Sequence, residues 1–143
     1  MEAFMILDCS NYSKNIVDIF KMFQQIGWDI YNPQGKAEYL PIGDDDMYDW
    51  QCEEISERKL YDIISEKMAK KEQVGVDLFY KNGAEGISFL AYTTDQIILS
   101  IDINRKIVKE GHTDMVWYLE NIIYKFWDTG VRLLSYTVKE YDG

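Results

Sequence analysis

The sequence predicts an α+β fold, a mainly antiparallel sheet with about three helices packed on it, in the order β-α-ββ-(β)-α-βββ-α-β. Three observations carry this. The runs "VGVDLFY", "GISFLAY" and "QIILSIDI", within residues 74–103, are β-type and are separated only by turn signals at Asn82-Gly83 and Thr94-Asp95. Connections that short force antiparallel neighbours. Three other stretches have helical rather than alternating periodicity. Finally, the strands come in hairpin-like groups and do not alternate singly with helices, which argues against a doubly wound parallel sheet. At 143 residues the chain is expected to form one domain, 1–143.

"AFMILD" (3–8) is a short apolar run that reads as the first strand. In "SKNIVDIFKMFQQIG", Ser13 is a candidate N-cap. Ile16, Ile19, Phe20, Phe23 and Ile26 share one helical face, and Gly27 stops the helix. "WDIYNPQGKAEYLPI" has two extended runs about the turn signal Asn32-Pro33-Gln34-Gly35 and is expected to be a hairpin. Ser56 caps a second helix whose stripe is Leu60, Ile63, Ile64 and Met68. Its last turn carries Lys67, Lys70 and Lys71, which complement the helix dipole.

In the three-strand group, both faces of 87–92 are mostly apolar, so that strand is expected to be central. In 96–103, Ser100 and Asp102 alternate with Leu99, Ile101 and Ile103, which leaves one face wetter. A third helix is expected from Thr113 to a stop at Gly130. Its polar stripe, Asp114, Glu120, Asn121, Lys125 and Asp128, is narrow, so it packs against the sheet on one side and another element on the other. A homodimer through helix 113–128 is a further expectation of that apolar circumference. "VRLLSYTVKEY" reads as the last strand.

The composition, 47% hydrophobic and 15% aromatic, supplies a core and does not fit a disordered acidic tail. A net charge of −10 repels nucleic acid and anionic membranes and attracts basic partners. No apolar run approaches the length of a membrane span. The start "MEAFMILDCSNYSKN" meets an acid at position 2 and breaks its apolar run at Asp8, unlike a signal peptide. The expectation is a cytoplasmic protein with reduced thiols.

The charge is not spread evenly. Residues 37–57 hold eight of the 25 acids and none of the 15 bases, whereas the remainder has 17 acids against 15 bases. Tyr39, Tyr48 and Trp50 lie among these acids. The alternation Tyr48, Trp50, Cys52 suits an edge strand, and the composition of 44–55 suits a loop. Acids steer a basic partner, and aromatic anchors inside a polar rim supply affinity. The candidate partner-binding residues are therefore Asp44, Asp45, Asp46, Tyr48, Asp49, Trp50, Glu53 and Glu54.

Chemistry-bearing motifs are sparse. Two cysteines and one histidine cannot make a four-ligand zinc site. Read as an EF-hand from Asp44, the sixth residue is Asp49 and the twelfth is Ile55, so glycine and glutamate are both missing. There is no GxGxxG, P-loop, GxSxG or HExxH. Cys9 lies between a strand and a helix, where a thiol can be activated, and His112 could pair with it. No catalytic residue, metal ligand or cofactor is assigned.

The acidic aromatic run "DDDMYDWQCEE", the helix after it and the hairpin "VGVDLFYKNGAEGISFLAYTT" together resemble, in style, the immunity proteins of bacterial polymorphic-toxin and contact-dependent growth-inhibition systems. The resemblance implies a non-catalytic inhibitor whose acids occupy the cationic cleft of a cognate toxin. It carries over no catalytic residue. The alternative is a small carboxylate- or metal-dependent hydrolase using the same acids, or Cys9 with His112, in a concave pocket.

Overall fold

In the computed structural model, which describes residues 1–142, the chain follows the predicted order. Eight strands form one antiparallel sheet: β1 (Glu2–Asp8), β2 (Trp28–Asp29), β3 (Ala37–Tyr39), β4 (Gln51–Glu53), β5 (Val74–Tyr80), β6 (Gly86–Ala91), β7 (Ile97–Ile103) and β8 (Ser135–Tyr141). Their spatial order is β4-β3-β5-β6-β7-β1-β8, with β2 also paired to β5. The acidic segment thus sits at one edge of the sheet and the C-terminal strand at the other.

Alternation places Met5, Leu7, Val76, Leu78, Phe89 and Leu99 on one face, all buried. Helix α1 (Ile16–Gln25) lays Phe20 and Phe23 on Phe89, at ring-centroid distances of 4.3 and 6.0 Å. The cap of α1 is Asn15, whose side chain accepts from the Val17 N–H, and not Ser13. Ser13 donates instead to Asp18 at 2.7 Å, bracing the approach to the helix. Ser56 caps α2 (Glu57–Ala69) as expected.

The third helix, α3, covers 115–128 as Met115–Tyr118, a π turn Leu119–Ile123, and Tyr124–Asp128. In the π turn the Asn121 carbonyl accepts from the Trp28 indole at 2.9 Å. The Asn121 side chain accepts from the Tyr80 hydroxyl at 2.7 Å. Phe126 meets Phe23 at 5.1 Å, so α3 packs on α1 as well as on the sheet. No helix among the described residues is long and apolar enough to cross a membrane.

Two local expectations are corrected. The hairpin about Asn32–Gly35 shrinks to one bridge, Tyr31 with Ala37, because its arms pair elsewhere. β2 pairs with β5 at Trp28–Tyr80, and β3 pairs further along β5 at Tyr39–Val76, so the two short strands lie end to end beside one long one. In the β5–β6 connection the residues with positive φ are Lys81 and Asn82, one position earlier than the expected Asn82-Gly83 turn. The Gly83 N–H closes it on the Tyr80 carbonyl at 2.8 Å.

Candidate functional site

Residues 41–50 form a loop leading into edge strand β4, so the acidic segment is a loop first and an edge strand after it. Its conformation comes from one side chain. Asp44 is buried and accepts the backbone N–H groups of Met47 (3.0 Å), Tyr48 (3.2 Å) and Asp49 (2.7 Å). These three bonds wrap the loop around the carboxylate and hold Tyr48 at φ 54°, a left-handed conformation that a non-glycine residue adopts only when its surroundings fix it.

The loop is stapled to the junction of α2 and β5. The Lys67 ammonium donates to the carbonyls of Pro41 and Asp44, both at 2.7 Å, and lies 3.5 Å from Glu72. Glu72 accepts the Gly43 N–H at 2.7 Å. Asp45 accepts the Gln73 N–H at 2.9 Å, and a hydrogen bond to the same carboxylate raises the Tyr92 hydroxyl above its usual pKa. The Lys67 side chain is 1% exposed, so from the last turn of α2 it serves the loop as well as the helix dipole. Four methylenes carry its charge from the α2 surface into a segment that has no base of its own.

The eight predicted residues therefore divide. Asp44 and Asp45 are structural: one is the hub of the loop, the other its tie to β5. Asp45 nevertheless stays exposed, as do Asp46, Tyr48 and Asp49, and also Met47, which is 79% exposed and which composition alone did not single out. Trp50 is half-buried. Glu53 and Glu54 are both exposed, and Glu53 also accepts from the Tyr39 hydroxyl. Burial, and then that bond, push Tyr39 up to about 12. The outward-facing set is a ridge of Asp46, Met47, Tyr48 and Asp49, continued by Glu54.

The Cys9/His112 pair is not assembled. His112 bonds Glu140, which stands opposite Ala3 in the β1–β8 register, whereas Cys9 follows Asp8 at the other end of β1. Six residues of strand separate the two places, about 20 Å. Burial also raises the Cys9 thiol to about 12, far from an activated thiolate. Among the described residues, no three His, Cys, Asp or Glu side chains are grouped to hold a metal ion.

A second acidic grouping was not anticipated. On the sheet face away from the helices, Asp77 stands opposite Ser88, with Glu38 and Asp102 nearby. Burial, with the two neighbouring carboxylates adding to it, pushes Asp77 up to about 7 despite the lowering effect of the nearby Ser88 hydroxyl, which donates to Asp102 at 3.1 Å. Its Oδ1 is buried without a partner among the described residues. The sequence signal was available, since Asp77 interrupts an otherwise apolar strand, "VGVDLFY".

Fold and site together define an α+β protein with a pinned acidic loop at one sheet edge. Comparison with protein-family models, curated proteins and solved structures finds no match.

Proposed function

We propose that this protein is a non-catalytic binding protein that neutralises a basic partner through the ridge at 46–54, in the manner of the immunity proteins that its sequence resembles. The observation that carries this reading is the pinning of the loop. Asp44 and Lys67 fix the backbone, so Asp46, Met47, Tyr48 and Asp49 are displayed without a large ordering cost on association. The carboxylates steer a cationic partner, by about 10 to 10³ in association rate at low salt. The side chains of Met47 and Tyr48 supply adaptable and rigid apolar contact respectively.

The test uses the protein as bait in lysate of its source, with a salt gradient for elution, beside an Asp46→Lys/Asp49→Lys/Glu54→Lys variant. These three side chains have no hydrogen-bond or ion-pair partner among the described residues, so reversing them leaves the loop's internal bonds in place. The expected result is a basic protein retained by the wild type, released by rising salt and lost with the variant. Equal retention by both would reject the ridge as the binding surface.

A further inference from the structure

The two edges of the sheet are built differently. β4 has three residues, ends on Glu53 and is followed by Glu54, the short, charged form that discourages further pairing. β8 has seven residues, with no proline or glycine, and among the described residues pairs with β1 only. Its outer row of N–H and C=O groups faces solvent. Beside it lies an exposed aromatic patch. Trp127 stacks on Tyr124 at 5.1 Å and meets Tyr136 of β8 at 6.2 Å. Tyr124, Trp127, Tyr136 and Leu134 are 41, 48, 41 and 60% exposed.

We infer that β8 pairs antiparallel with β8 of a second copy, about a two-fold axis at Thr137, joining two sheets into one. The sequence of the strand is self-complementary in that register. Tyr136 falls opposite Val138 of the second copy, an aromatic side chain against a β-branched one on the helix side of the sheet. Ser135 falls opposite Lys139, and no like charges oppose each other. Beyond the strand ends, Asp142 is brought toward Arg132 of the second copy, twice over by symmetry. Shifting the axis to Lys139 would set two lysines face to face.

Tyr136 is one residue from the axis, so pairing brings the two Trp127 clusters together over the seam. The four exposed apolar side chains offer roughly 100 Å² each, or about 800 Å² over two copies. The paired strands add to this and bring the total into the range of specific interfaces, about 1,200 Å² or more. The charge distribution permits the association. The acidic loop lies at the opposite edge of the sheet, so the joined sheet carries its two acidic ridges at its far ends. The partner of this edge is thus a copy of the same chain, and the expectation that helix 113–128 is the seam narrows to its last turns.

Sedimentation equilibrium of the full chain across micromolar to submillimolar concentrations tests this, with circular dichroism confirming that each variant is folded. The expected result is a monomer–dimer equilibrium. Thr137→Lys, which sets two lysines opposite each other at the axis, should weaken it about tenfold or more. Arg132→Asp should weaken it, and the Arg132→Asp/Asp142→Arg swap should restore it. A monomer at every concentration would overturn the inference. So would a dimer indifferent to Thr137→Lys, or one broken instead by Asp46→Lys.

Discussion

Replacing Lys67 by methionine isolates the interaction that pins the acidic loop. The side chains are close in volume, so the substitution leaves little cavity and removes mainly the charge and its donors. Two carbonyls, of Pro41 and Asp44, lose bonds of 2.7 Å, and Glu72 loses its cation at 3.5 Å. Hydrogen bonds to charged groups contribute about 1.5–3 kcal/mol each. Against that loss stands the desolvation of the ammonium, which methionine does not incur and which runs to several kcal/mol for a buried ion. The balance for removing one partner from a buried ionic group is a loss of about 3–5 kcal/mol, and we expect the lower end, about 3 kcal/mol, because methionine fills the space. With a urea m-value of roughly 2 kcal/mol/M, the midpoint falls by about 1.5 M. Amide exchange should localise the damage, with the Met47, Tyr48 and Asp49 N–H groups losing the protection that Asp44 gives them. A midpoint change below about 0.5 M, with those amides unchanged, would refute the reasoning that Lys67 organises the loop.

Asp77 should make stability fall as pH rises. Its folded value of about 7 exceeds the ordinary 3.8, so the unfolded chain ionises first, and the penalty grows from about pH 4 to about pH 7 and then levels off. Asp77→Asn should therefore stabilise by up to about 3 kcal/mol at pH 8 and by almost nothing at pH 4, and an equal effect at both would contradict a carboxylate whose Oδ1 is buried without a partner among the described residues. Gly75→Ala should destabilise by about 1–3 kcal/mol in a urea titration, since an added Cβ would lie 2.6 Å from Leu40 Cδ1 and 3.1 Å from Leu90 Cδ2. A thiol reagent at neutral pH should titrate Cys52 quickly and leave Cys9 unreacted until unfolding, because Cys52 is exposed whereas Cys9 is 2% exposed with its thiol raised to about 12. Two fast thiols would overturn that assignment.

Periodicity made the long elements legible. The runs at 74–80, 86–91 and 97–103 are β-type, and their connections are too short for anything but antiparallel pairing, so class and element order followed from local pattern alone. The short elements were less legible. β2 and β3 are two and three residues long, and a strand of that length takes its partner from whichever edge is vacant nearby. The edge was that of β5, across a sequence gap no local pattern spans. Asn15 displaced Ser13 as the helix cap because the helix begins at Ile16, which puts Asn15, with its extended backbone, at the capping position.

Order along the chain placed acids and aromatics together in 37–57 with no base among them. It also set the amphipathic faces and turn residues from which this sheet and these helices form. Which of these acids are free to meet a partner was set by folding. Asp44 turns inward because three backbone N–H groups converge on it, and Asp45 is drawn to the Gln73 N–H. Asp46 and Asp49 are left outside. Lys67 supplies the missing positive charge from 23 residues beyond Asp44, through the packing of α2 against the loop. Composition counts charges along the chain. Burial and hydrogen bonding assign each of them to the inside or the outside, and those depend on groups brought together only by folding.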